Sequence, residues 1–175
     1  MSYTFFKAMG GNIGNSLVEE DKLELAKSIM EQAKAKGVNL QLPMDSKIAN
    51  AFDNNATTKI AKNFAIEEGF MGLDIGPEAI KIFTEIISNS KTILWNGPMG
   101  VFEMSNFAEG TNQVAKAVVQ ATKKGGFSLI GGGDSAAAVN LLGYGDDVSY
   151  VSTGGGALLE YMEGKVLPGV AALEV

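Results

Sequence analysis

Three stretches of this chain combine glycine with residues able to do polar chemistry: WNGPMGVFE (95–103), FSLIGGGDSAAAVNLL (127–142) and VSTGGGALLEYM (151–162). Adjacent glycines lose more backbone entropy on folding than other residues, and a structural turn rarely needs three in a row. In both triplets a strand-like segment precedes the glycines and helix formers follow. A bare backbone lets a ligand come within hydrogen-bond distance of main-chain N–H groups. A helix opening there adds first-turn amides that lack partners and carry partial positive charge. Anions bind such ends, phosphate above all. Gly131 to Gly133 and Gly154 to Gly156 are thus candidate anion cradles. The plainer alternative is a tight strand-to-helix turn with Asp134 as N-cap. Neither triplet has the GxxxxGK[ST] pattern of a Walker A loop or the GxGxxG spacing of a dinucleotide fold.

The neighbouring residues widen the chemistry. A carboxylate where a helix start meets phosphate, as at Asp134, suits Mg²⁺, which keeps several waters and takes one or two carboxylates plus phosphate oxygens. Glu103 follows the apolar Val101 and Phe102 and could accept hydrogen bonds from ribose hydroxyls, or be a solvated carboxylate near a helix start. Asn96 reads as turn chemistry and Trp95 as core. Met71, Leu73 and Met99 also read as core, although loop residues of this kind line adenine pockets too.

Composition narrows the options. The chain has 175 residues with no histidine and no cysteine, and every one of its fourteen basic residues is lysine. Missing histidine removes the commonest general base and metal ligand. Missing arginine removes the bidentate fork for phosphate or carboxylate. A formal net charge of −6 argues against a nucleic-acid surface. The absence of cysteine excludes disulfides and thiolate metal sites and fits a reducing compartment. No apolar run approaches the ~20 residues of a membrane span, and the N-terminus lacks the pattern of a secretory signal.

The elements that must position the glycine loops follow from periodicity. Ser16 to Glu19 reads as a capping box opening a helix that Gly37 closes. Residues 38–44, VNLQLPM, read as a short strand ended by Pro43, and 45–70 as polar and broken, with IAKNFAI a possible minor strand. Pro77 suits the first position of a second helix, with Ile80, Phe83 and Ile87 on one face. KTILWNG is a strand, 105–124 a third helix with Val114, Val118 and Ala121 inward, and FSLIG another strand. DSAAAVNLLG is a helix, VSYVST a strand and GALLEYMEG a helix, while the tail KVLPGVAALEV caps the domain or hangs off it. Apolar strands each followed by a helix predict an α/β, doubly wound, mostly parallel sheet in a single domain over 1–175. Ligands bind beyond the carboxyl ends of such strands, so the three glycine-bearing loops should share one sheet edge.

Taken together, WNGPMGVFE, GGGDS and VSTGGGALLEYMEGKVLPGVAAL, with MGLDIGP (71–77) and YTFFKAMGGNIGNSLVEEDKLELAK (3–27), resemble the C-terminal, nucleotide-binding domain of the phosphoglycerate kinase family. The resemblance covers essentially the whole chain. It implies a Rossmann-like fold and a cytoplasmic glycolytic enzyme. The implied reaction is Mg²⁺-dependent phosphoryl transfer between 1,3-bisphosphoglycerate and ADP, giving 3-phosphoglycerate and ATP. Gly72 and Leu73 would border the adenine, Asn96 and Pro98 would lie beside ribose and phosphates, and Glu103 would bind the ribose hydroxyls. Gly132, Gly133, Asp134 and Ser135 would hold the nucleotide phosphates, with Asp134 also reaching the metal. Gly133 and Gly156 would present helix-end amides to the transferring group, which suits a reaction that asks mainly for positioning and charge stabilisation.

The resemblance also implies departures. The family's enzyme is longer, and its N-terminal domain carries the basic patch for the phosphoglycerate. A lysine-bearing segment and two central strands would lie upstream of Met1. Residues 38–44 would then be a strand separated from TILWNG by a gap, leaving edges that re-pair within or between chains unless this is an excerpt of a longer chain. The parent enzyme is expected to be a monomer. Alone, this chain is expected to bind ADP or ATP with Mg²⁺ weakly, to bind no phosphoglycerate and to be inactive. A nonenzymatic, self-associating α/β fragment is the alternative. A dinucleotide-dependent oxidoreductase is disfavoured by the missing GxGxxG and histidine.

Overall fold

SYTFFKA, to which the pattern assigned no element, opens the chain as helix α1 (Ser2–Ala8), which buries Thr4 and Phe6. The Phe6 ring meets Phe64 edge-on, with centroids 5.6 Å apart. The computed structural model describes residues 1–173, and the chain divides into two compact units, one of residues 1–83 and 99–110, the other of residues 84–98 and 111 onward.

The first unit holds two small sheets. β1 (Asn12–Ile13) runs parallel to β4 (Ala65–Ile66). β2 (Asp45–Ala49) lies between β3 (Thr58–Lys62) and β5 (Met71–Ile75), antiparallel to both. Helix α2 (Leu23–Ala35) follows a 3-10 turn at Glu20–Lys22. Gly37 closes it in the left-handed region, at φ 67°.

Two expectations for this unit are corrected. Ser16 does not cap a helix: its Oγ accepts the N–H of Gly72 at 3.0 Å, while the N–H of Glu19 donates to Thr4 Oγ1 at 3.2 Å. Both members of the supposed capping box thus have long-range partners, and the helix starts later. Residues 38–44 form no strand. The ladder begins at Asp45, a buried carboxylate that accepts the N–H of Ala79 at 2.8 Å and of Glu78 at 3.2 Å. Those amides open helix α3 (Pro77–Ser88), with Pro77 at its first position as expected. IAKNFAI divides between the end of β3 and β4. The intervening Asn63 is buried and donates its side-chain amide to the Pro43 carbonyl at 2.7 Å.

The second unit follows the pattern closely. β6 (Thr92–Asn96), β7 (Phe127–Gly131) and β8 (Tyr150–Ser152) form a parallel sheet in that order. Helix α4 (Glu109–Lys123) precedes β7, α5 (Gly133–Leu141) follows it, and α6 (Gly155–Met162) follows β8. Val114, Val118 and Ala121 of α4 are buried as expected, together with Trp95, Ile130 and Val139. The tail forms a short helix, α7 (Pro168–Ala171), and its last two residues lie outside the described residues. Strand–helix alternation around parallel strands makes the fold α/β, as the pattern predicts.

Candidate functional site

In the second unit the three strands end in register. Asn96 pairs with Gly131, and Gly131 pairs with Ser152. The loops beginning at Gly97, Gly132 and Thr153 therefore leave the same edge of one sheet, where ligands of open parallel sheets bind.

The glycines at that edge divide by cause. Gly132 is the N-cap of α5 at φ 94°, a left-handed backbone that side chains avoid, and a Cβ there would sit 2.7 Å from Asn96 Oδ1. Gly155, at the start of α6, lies against Gly132. A Cβ on it would overlap the Gly132 Cα and come 2.7 Å from the Gly132 nitrogen. Packing thus demands glycine at 132 and 155. Nothing comparable explains Gly133 and Gly156: a Cβ at either would meet no atom within 4 Å, and neither has positive φ. Both are exposed. The protein itself leaves room for side chains there, so these two glycines keep the backbone bare toward open space.

The helix ends match that reading. Neither α5 nor α6 receives a side-chain cap hydrogen bond. Asp134 lies within the first turn of α5 and is exposed, so it is not the cap. Two uncapped helix N-termini, brought together by the Gly132–Gly155 contact, concentrate first-turn amides and the positive ends of two helix dipoles.

Ser135 is buried, and its Oγ accepts the N–H of Gly97 at 2.6 Å. The indole N–H of Trp95 donates to the Gly97 carbonyl at 2.7 Å. Gly97, at φ 98°, is therefore gripped on both sides. This fixes the loop of exposed Asn96 and half-buried Pro98 against the start of α5. Sequence reading missed this brace, because it joins residues 38 apart.

The remaining candidates lie in the first unit. Leu73 is buried in a cluster with Ala49 and Phe107, and Met71, Val101 and Met104 pack on it. A Cβ on Gly72 would overlap the Tyr3 hydroxyl. Glu103 is exposed on a loop whose Val101 N–H donates to the Leu73 carbonyl at 2.9 Å.

Asp74 was not among the expected residues. It is buried on β5, where its Oδ2 accepts the N–H of Gly110 and its Oδ1 the N–H of Ile75, both at 2.8 Å. Burial pushes its carboxyl up to about 6. The two amides and the Lys47 charge pull the other way, and Glu109 adds to the rise. The available signal was a lone acid between Leu73 and Ile75 in an apolar strand. Among the described residues no group of three acidic side chains could hold a metal, and no helix is long and apolar enough to cross a membrane.

The phosphoglycerate kinase family model matches residues 1–165. A phosphoglycerate kinase of Chloroherpeton thalassium is 61% identical over 173 residues, which is 99% of this chain and 44% of that protein. One from Porphyromonas gingivalis is 58% identical, with 99% and 42% covered. The solved phosphoglycerate kinase of Coxiella burnetii superposes with a TM-score of 0.89 at 39% identity, over 94% of this chain and 42% of that one. That of Pyrococcus horikoshii OT3 gives 0.79 at 29% identity, over 99% and 43%. This chain thus spans less than half the length of the relatives it matches. With the glycine-led loops on one sheet edge and a family match over nearly its whole length, the chain belongs to the phosphoglycerate kinase family.

Proposed function

We propose that this chain supplies the nucleotide-binding residues of a phosphoglycerate kinase, gripping the polyphosphate of ADP or ATP with main-chain amides in place of arginine. The observation that carries this reading is the contact of Gly155 with Gly132, which joins two uncapped helix starts beside the open Gly133 and Gly156. Phosphoryl transfer leaves little covalent work to the protein. Fixed amides aimed at the β- and γ-phosphates would stabilise developing charge without reorganisation. Asn96 and Pro98, held by the Ser135–Gly97–Trp95 brace, would flank the sugar and phosphates. Ser135 would act through that brace, in which its hydroxyl accepts the Gly97 N–H.

A Mg²⁺ ion fits this arrangement as a phosphate-borne partner. The exposed Asp134 is a single carboxylate at the α5 start, the kind of ligand Mg²⁺ takes together with phosphate oxygens and water. When bound, the ion would neutralise phosphate charge there. Gly72 and Leu73 would border the base along the β5 backbone, with the Leu73 side chain committed to the core. Glu103 would accept from the ribose hydroxyls. Transfer to or from 1,3-bisphosphoglycerate and 3-phosphoglycerate, as glycolysis requires, would need the part of the enzyme that this chain does not span.

Thermal melting tests the reading. Excess MgATP raises the melting temperature, as a ligand of the folded state must, while NAD leaves it unchanged. A shift with NAD and none with MgATP contradicts the proposal.

A second reading, self-association, is favoured by one feature of the second unit: among the described residues β6 pairs only with β7, which leaves one edge of β6 open. Concentration-dependent sedimentation without any MgATP effect on melting would support it over nucleotide binding.

A further inference from the structure

Segment 99–110 of the first unit carries Glu103, and both its ends close on one carboxylate. At the far end, the Gly110 N–H donates to Asp74 Oδ2 at 2.8 Å. At the near end, Gly100 lies so close that a Cβ would overlap Asp74 Oδ1 and come 2.7 Å from the Leu73 carbonyl oxygen. A Cβ on Gly110 would likewise overlap Asp74 Oδ1. Glycine is required at both ends because the carboxylate fills the space where side chains would stand.

Between these ends the loop is held at several points. The Val101 N–H donates to the Leu73 carbonyl at 2.9 Å. Lys47 Nζ donates to the Asn106 carbonyl at 2.6 Å, and the Asn106 N–H donates to Asn54 Oδ1 at 2.9 Å. Val101 and Met104 pack on the Ala49–Leu73–Phe107 cluster, so the intervening Glu103 is turned to solvent by anchors on either side.

We infer that Asp74 is a positioning residue for Glu103, fastening the far end of segment 99–110 to β5 through Gly110 and packing closely against Gly100 at the near end, so that the Glu103 carboxylate is held for a ligand's vicinal hydroxyls. The inference rests on the proposed ribose role of Glu103. The chemistry requires an acceptor-only side chain, because both oxygens face N–H donors. An asparagine would aim its own N–H₂ at one of them.

The charged and titratable groups facing Asp74 are Lys47 from β2, Glu109 from α4 and Tyr3 from α1.

The test compares MgADP with its 2′,3′-dideoxy analogue, using NMR titration of the whole chain and of the Glu103→Gln and Asp74→Asn variants. Glu103→Gln loses the preference for the ribose hydroxyls, on the order of tenfold. Asp74→Asn loses the same preference while binding the dideoxy nucleotide as the parent does. A merely structural role would weaken both nucleotides equally. Retained preference in Glu103→Gln overturns the ribose role itself. Lost preference in Glu103→Gln with retained preference in Asp74→Asn overturns the positioning role alone. Should Asp74→Asn not fold, the unmodified chain decides: the amide signals of Gly110, Val101 and Met104 must shift together as pH crosses the Asp74 midpoint, and independent shifts refute the inference.

Discussion

Gly155 lies with its backbone against that of Gly132, so close that a methyl on Gly155 would overlap the Gly132 Cα. This contact ties the start of α6 to the start of α5. A main-chain atom cannot swing aside as a side chain would, so Gly155→Ala should cost about 1–3 kcal/mol through overpacking. Urea denaturation followed by far-UV dichroism measures it. An unchanged midpoint would show that the two helix starts are not held together by this contact.

Gly133 and Gly156 should behave in the opposite way. Each faces open space in a helix's first residues. Alanine there removes unfolded-state entropy and should leave stability equal or raise it by about 0.4–1 kcal/mol. Nucleotide affinity should nevertheless fall, because a methyl would intrude where phosphate approaches the amides. Calorimetric titration with MgADP, paired with melting curves, separates the two effects. Loss of stability in either variant would assign that glycine to the fold instead.

Ser135→Ala removes the acceptor of the Gly97 N–H and leaves a half-buried donor unpaired. The expected cost is about 1–3 kcal/mol. Faster amide exchange at Gly97, with weaker MgADP binding, would accompany it if the brace positions Asn96 and Pro98. Unaltered exchange at Gly97 would disprove the brace.

Much of this arrangement was legible in the sequence, and the reason is local. FSLIG became β7 at 127–131, and TILWN became β6, because a short apolar run closed by glycine needs no distant partner to be read. The common edge of the loops followed from parallel topology alone. The first unit was harder to read. Ser16 resembled a helix cap until Gly72, 56 residues on, claimed its hydroxyl. Val38, Leu40, Leu42 and Met44 alternate as a strand would, yet the strand starts at Asp45, whose carboxylate is buried because the α3 amides 33 and 34 residues away satisfy it. Polar groups buried by remote partners leave no periodicity to find. Asp74 belongs to the same class, although an acid isolated among Leu73 and Ile75 was a usable warning.

Asp74 also makes stability depend on pH in a defined direction. Its folded-state value, about 6, lies above the usual carboxylate range. Between roughly pH 4 and 6 the folded chain therefore holds more proton at this site than the unfolded chain does, so its contribution to stability falls as pH rises. It is fully favourable below that window and lost above it, by on the order of 2–3 kcal/mol. Unfolding free energies across the window, compared with those of Asp74→Asn, should show this downward component only in the parent. An equal slope in both would place the titration elsewhere.

Asp134→Asn should leave the fold intact, since the side chain is exposed and caps nothing. It should weaken MgADP binding while changing ADP binding in excess chelator far less. Equal losses with and without Mg²⁺ would deny the carboxylate a metal role.

The most direct measurement is an amide-resolved NMR titration of the chain with MgADP. The largest shifts are expected at the backbone N–H groups of Gly133, Asp134, Gly155 and Gly156, saturating together at one affinity. Saturable shifts confined to other residues, or none at these four amides under saturating nucleotide, would contradict the claim that paired helix starts grip the phosphates.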